Sequence, residues 1–97
     1  MLGYIVELAG KTRENQYVYL GASPRASIGL MKAAQAFAFI KGRSFVTPDD
    51  VQYLAPFVWS HRLIMKPEAR YDGVSAEEVI ERIIGQMTIP IKRFAEQ

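Results

Sequence analysis

Apolar residues recur along this chain with the spacing of helices more than of strands. Leu2, Ile5, Val6 and Ala9 follow i, i+3, i+4, i+7, with Leu8 widening the stripe and Glu7, Lys11 and Arg13 lying off it. This predicts a first helix over 2–13. The helix starts almost at Met1 with no capping residue ahead of it, so we read the sequence as cut from a longer protein. Glu14-Asn15-Gln16 is a polar turn. Tyr17-Val18-Tyr19-Leu20 is a β-prone run long enough for one short edge strand.

The second helix, over 24–41, is the most apolar. Ile28, Leu30, Met31, Ala33, Ala34, Phe37, Ala38, Phe39 and Ile40 go almost all the way round it, which predicts a central element. Arg25, Gly29, Lys32 and Ala36 share one narrow, small and basic stripe. Ahead of the helix stands a well-made start. Ser23 is a good N-cap, Pro24 suits the first helical position, and Gly21 lets the chain turn where a side chain would obstruct. Gly42, between Lys41 and Arg43, is a good stop.

A third helix is predicted over 47–62. Thr47 caps it, Pro48 opens it, Asp49 and Asp50 suit its dipole, and Val46 with Val51 forms a hydrophobic staple. Pro56 interrupts the period set by Val51, Leu54, Ala55 and Val58, which predicts a kink or a break into a second segment over 56–62. Across 63–74, Leu63-Ile64-Met65 is β-prone and Pro67 and Asp72-Gly73 are breakers, which suggests two short strands near 63–65 and 69–71, paired as a small ribbon. The last helix, over 75–88, opens on a Ser75/Glu78 capping box with a Val74/Val79 staple. It buries Val79, Ile80, Ile83, Ile84 and Met87 and pairs Glu78 with Arg82 on its wet side. Pro90 ends the regular structure and 91–97 reads as a loose tail. The expected fold is mainly α: a small bundle of four to five helices in one domain over 1–90, with short β-strands near 17–20 and within 63–71.

Composition narrows the chemistry more than the fold. With 97 residues and 49% hydrophobic content, the chain is sized for one folded domain. Its net charge of +2 comes from 12 basic and 10 acidic residues, well mixed, with no basic block of the kind that binds nucleic acid or membranes. There is no cysteine and only one histidine, so neither a thiolate nor a histidine-based metal site can form. No signal-peptide pattern is seen, and no apolar run approaches the ~20 residues that span a bilayer. The expected location is cytoplasmic, with no membrane partner and no nucleic acid.

Motifs for hydrolysis or nucleotide binding are missing: no G-x-x-x-x-G-K-[ST], H-E-x-x-H or G-x-S-x-G occurs. His61 has no motif around it and reads as a structural or surface residue. Asp49 and Asp50 are explained by the helix dipole, and Trp59 and Phe57 by core or interface packing. Arg25 stands apart. A solvated surface arginine would account for it. Yet it sits in the first turn of a helix, where the dipole disfavours a cation, on that helix's one polar stripe. An anion from outside would explain the placement, and a guanidinium is suited to phosphate oxygens.

The run Leu20-Gly21-Ala22-Ser23-Pro24-Arg25-Ala26 precedes an alanine-rich helix and Gly42-Arg43. Val46-Thr47-Pro48-Asp49-Asp50-Val51, Leu54-Ala55-Pro56 and His61-Arg62-Leu63 follow. In order and spacing this resembles the C-terminal lid domain of MoxR-type AAA+ ATPases, over about residues 2–90. The resemblance implies a lid packed on an α/β core of the same chain that carries the Walker motifs and holds ATP with magnesium. It implies that Arg25 is the second-sensor arginine at the γ-phosphate, with Gly21, Ser23 and Pro24 shaping its turn; Lys32, on the same stripe, is a further candidate for nucleotide binding. It further implies a homo-oligomeric ring, commonly a hexamer, acting as a chaperone-like remodeller alongside von Willebrand factor A domain proteins. This chain lacks the Walker motifs, so by itself it is expected to be inactive. The alternatives are a stand-alone helical protein–protein or DNA-binding module. The second of these is disfavoured because residues 47–58 contain no Lys or Arg.

Overall fold

A computed structural model describes residues 1–88. The expectations of a stop at Pro90 and a tail over 91–97 lie outside the described residues. In chain order the elements are α1 (Leu2–Glu14), β1 (Val18–Leu20), α2 (Pro24–Ile40), α3 (Pro48–Trp59), β2 (Ile64–Met65), α4 (Pro67–Tyr71) and α5 (Ala76–Gln86). The fold is mainly helical, as expected. Helix α2 packs on α1 and α3, and α5 closes the bundle against both α1 and α3. Ile5, Leu8, Leu30, Val51, Trp59 and Ile80 form the fully buried centre.

The helix faces differ from the sequence reading in two places. In α1 the buried residues are Tyr4, Ile5, Leu8, Ala9 and Thr12, while Leu2 and Val6 are about half exposed, at 46% and 50%. The stripe is therefore rotated toward Tyr4 and Leu8. Tyr4 can line it because its hydroxyl keeps a polar partner, accepting from Gln52 Nε2 at 3.2 Å. In α2 the chain buries one narrow face, Ala26, Ser27, Leu30, Ala34 and Ala38, and leaves Ile28, Phe39 and Ile40 in the open. Small residues let α1 and α3 approach this face closely. The helix is thus flanked on one side and bare on the other, rather than surrounded.

Pro56 does not break α3, which runs unbroken to Trp59. The proline lies near the C-terminal end, so only one donor is lost from the ladder. Its ring is buried, and its carbonyl accepts from Ser60 N–H at 3.2 Å. The expected 63–71 ribbon is also corrected. Residues 69–71 belong to α4, where Pro67 acts as a helix starter rather than a breaker and Ala69 is buried in the core. The strand at Ile64–Met65 pairs instead with β1, antiparallel, with Val18 opposite Met65 and Leu20 opposite Ile64. Tyr17 reinforces the junction: its carbonyl accepts from Lys66 N–H at 2.8 Å and its hydroxyl donates to Asp72 at 2.8 Å.

Helix ends follow the sequence closely. Gly42 has φ +82°, the left-handed stop expected after α2, and Arg43 N–H reaches back to Ala38 C=O at 2.9 Å. Ser75 caps α5 by accepting from Glu78 N–H at 3.1 Å, but the reciprocal half of the box is missing because the Glu78 carboxylate is taken by Arg82. The full box lies at α3 instead. Thr47 Oγ1 accepts from Asp50 N–H, and Asp50 Oδ2 accepts from Thr47 N–H at 2.8 Å.

Asp50 does more than compensate a dipole. It is 3% exposed, and Arg43 grips both its oxygens at 2.7 and 2.8 Å. This grip, helped by the Thr47 N–H, outweighs burial and holds the carboxyl down at about 2. The folded value lies below the unfolded value of about 4. The resulting stabilisation, about 2 kcal/mol, is therefore present above pH ~4 and lost as the pH falls through ~2. Asp50→Asn should lower the melting temperature at pH 7 and flatten its acid limb, as read by circular dichroism melts from pH 7 to 2. An acid limb identical to the wild type would show that other carboxylates carry it.

Candidate functional site

The turn from Gly21 to Ala26 is built from both sides. On the helix side, Ser23 Oγ accepts from Ala26 N–H at 3.1 Å, Ser23 C=O accepts from Ser27 N–H at 3.0 Å, and Pro24 has no donor to satisfy. The backbone N–H of Arg25 is left as the open donor of this first turn among the described residues. On the outer side, the fully buried Ala22 is bracketed by two side chains from the end of α1. Its N–H donates to Thr12 Oγ1 at 3.0 Å, and its C=O accepts from Arg13 Nη1 at 2.6 Å. The Thr12 hydroxyl in turn donates to Ala9 C=O at 2.6 Å, so it is satisfied both as donor and as acceptor.

Gly21 lies against the backbone of α1. A Cβ there would stand 2.7 Å from Arg13 N and Cγ and 2.8 Å from Arg13 Cα. The glycine is needed for close approach and not for a positive φ, which among the described residues occurs only at Gly42 and Gly73. From the core, the indole N–H of Trp59 donates to Ala26 C=O at 3.0 Å. The start of α2 is thus pinned by α1 behind it and α3 beneath it.

Arg25 is exposed, and its side chain makes no hydrogen bond or ion pair among the described residues. Beside the turn opens a depression of about 620 Å³ between α1 and the end of α3. Leu20, Ala22 and Pro24 give it an apolar floor, and Arg13 and Arg62 bring two guanidinium groups to it. No acidic residue lines it, and none stands in the first turn of α2. A helix N-terminus with an open N–H favours an anion at the turn that carries Arg25, and the two arginines favour one in the depression beside it, which Arg25 itself does not line.

The other singled-out residues fall as follows. Ser23 and Pro24 are exposed on the turn, and Gly21 is half-buried against α1. Lys32 is exposed on the same face as Arg25 but seven residues further on, about 10 Å along the axis. His61 and Phe57 are exposed, whereas Trp59 is wholly buried. Sequence reasoning did not single out Thr12, Arg13 or Arg62. For Thr12 a signal existed: it continues the Ile5–Ala9 stripe at i+7 and i+3, a polar residue in a buried register. Arg13 and Arg62 are far apart in sequence and carried none.

Residues 10–83 match the family model described as the AAA lid domain. Among curated proteins, YeaC of Bacillus subtilis, itself uncharacterized, is 50% identical over 92 residues, covering 95% of this chain and 29% of that protein. Chaperone MoxR1 of Mycobacterium tuberculosis is 35% identical over 99 residues, covering 93% of this chain and 26% of the relative. A crystal structure from Cytophaga hutchinsonii, provisionally assigned as an ATPase, superposes with a TM-score of 0.83 at 34% identity, over 93% of this chain and 30% of that one. The chain belongs to the AAA lid domain family. Its relatives make it a lid of the MoxR type, and it spans less than a third of the length of each of the three.

Proposed function

We propose that this domain is the nucleotide-sensing lid of an AAA+ ATPase, and that Arg25 is its second-sensor arginine. The ATP and its magnesium are bound mainly by a core domain of the longer protein. Arg25 contributes a cation to the γ-phosphate when lid and core close on one another. The observation that carries the reading is the contrast around Arg25: a rigidly pinned turn presents a side chain that serves no purpose within the lid. A positioned cation stabilises charge developing in phosphoryl transfer without reorganising at the moment of reaction. Carried on a separate domain, it also makes the closed arrangement depend on bound ATP, by its differential contacts with that state. Lys32 extends positive charge along the same face. Among the described residues no group of three or more His, Cys, Asp or Glu could hold a metal ion; magnesium is assigned to the core by the family reading.

We further propose that the domain takes part in assembly of a homo-oligomeric ring, a reading that its exposed apolar side chains support. Phe39 and Ile40 are each 80% exposed; Phe45, in the loop before α3, lines one depression with Phe39, and Tyr53 and Phe57 are exposed on α3, where Tyr53 stacks on Phe37. Large apolar side chains left this exposed suit an interface. In this reading it meets ATPase core domains, of the same chain or of neighbouring subunits. A chaperone-like role, partners with von Willebrand factor A domains and a cytoplasmic location follow from the same family reading. No helix among the described residues is long and apolar enough to cross a membrane. Recognition of DNA through α3 finds no support, because that helix carries no Lys or Arg.

The test is Arg25→Ala in the full-length protein. ATP turnover should fall on the order of 10- to 100-fold. The melting temperature should barely move, since the side chain has no partner within the lid. Turnover equal to the wild type would sink the assignment of Arg25.

A further inference from the structure

The clamp on Ala22 is more elaborate than a helix start requires. Ser23 and Pro24 already satisfy the local needs of α2. Nonetheless one residue, Ala22, has both its backbone groups taken by adjacent side chains of another helix, at 3.0 and 2.6 Å. Thr12 is wholly buried at a position that an apolar residue would fill as well for packing. Its hydroxyl is oriented by the bond it donates to Ala9, which leaves a lone pair aimed at Ala22 N–H. Ala22 lies three residues before Arg25, and the intervening Ser23 and Pro24 are the N-cap and a residue of fixed φ. A rotation at Ala22 therefore bears on where the backbone of Arg25 sits.

We infer that Thr12, together with Arg13, is a positioning residue for Arg25: the two side chains hold the Ala22 peptide groups so that the backbone of the first turn, and with it the Cα–Cβ bond of Arg25, is set before nucleotide arrives. This rests on the reading of Arg25 as the sensor. The gain is preorganisation, since a misplacement of about 1 Å at a reacting centre can cost on the order of 100-fold in rate. Thr12 does not touch the ligand. Its effect passes wholly through Arg25, and that distinguishes it from a residue that merely holds the bundle together.

The experiment is a double-mutant cycle in the full-length protein with T12V, R25A and the pair, plus T12S. ATP turnover is measured alongside affinity for a fluorescent ATP analogue, which stays measurable if R25A abolishes turnover. Valine keeps the volume of Thr12 and removes the hydroxyl; serine keeps the hydroxyl. T12V should lower turnover or affinity about tenfold in the wild-type background. It should have little further effect when Arg25 is already alanine, and T12S should restore most of the loss. If T12V leaves too little folded protein to assay, R13Q unties the outer side of the same residue and should show the same dependence on Arg25. An equal loss in both backgrounds would overturn the inference, because it marks a purely structural role. So would a silent T12V or R13Q beside a damaging R25A. A silent R25A would instead sink the sensor reading itself, and the positioning role with it.

Discussion

Trp59→Ala should cost about 3–5 kcal/mol of folding stability, a large share of the roughly 5–15 kcal/mol typical of a domain. Trp59 is the largest of the fully buried side chains, at the end of α3 beneath the start of α2. Alanine leaves a cavity that helices pinned on several sides cannot collapse to fill. It also removes the indole donor from Ala26 C=O at the first turn of α2. Trp59→Phe keeps much of the volume and lacks the donor, so it should fall between the two, and the gap between Phe and Ala measures the cavity. Urea denaturation followed by far-ultraviolet circular dichroism suits the comparison, since Trp59 is the only tryptophan and intrinsic fluorescence changes with its loss. A loss below about 1 kcal/mol for the alanine variant would contradict the packing described for this residue.

Gly21→Ala is the second large effect, and it reaches both stability and function. The added Cβ would meet backbone N and Cα of Arg13 at 2.7 and 2.8 Å, and backbone within a helix cannot swing aside as a side chain can. The turn and the end of α1 must separate, at an overpacking cost of about 1–3 kcal/mol. Separation breaks the two bonds that hold Ala22, and under the positioning role inferred above the backbone seat of Arg25 shifts with them. In the full-length protein ATP turnover should drop nearly as far as in R25A, although Arg25 is still present. Gly21→Ser should be no better, because the obstruction arises at Cβ and not from side-chain chemistry. Turnover near the wild-type level in Gly21→Ala would show that α1 can yield, and would remove the clamp as the reason for the glycine.

Much of the helical layout was legible because its determinants are local. Ser23-Pro24, Thr47-Pro48 and Ser75 each state a helix start within two or three residues, and Gly42 states a stop; all four stand where expected. Misreadings arose where a residue's local meaning was overridden by distant partners. Pro56 is tolerated because its ring is buried near the end of α3. Ile64–Met65 found its partner in β1, more than 40 residues earlier, and 69–71 was thereby free to join α4. In α1 the buried face shifted because Tyr4 could bury its ring and still bond to Gln52.

The candidate site divides along the same line. From the sequence alone one could see a capped, proline-opened helix with an out-of-place arginine at its start, and a glycine ahead of it that excluded a side chain. Those are short-range facts: dipole, cap and turn act over a few residues. Only the folded chain could bring the end of α1 against Ala22, set Trp59 under Ala26, and place Arg13 and Arg62 beside one depression. It also decided that α2 is buried on one face alone, leaving Ile28, Phe39 and Ile40 bare. Burial and hydrogen bonding between distant segments depend on which helices meet. Arg25 as a candidate could be read from the chain, whereas the contacts that seat its turn were decided by packing.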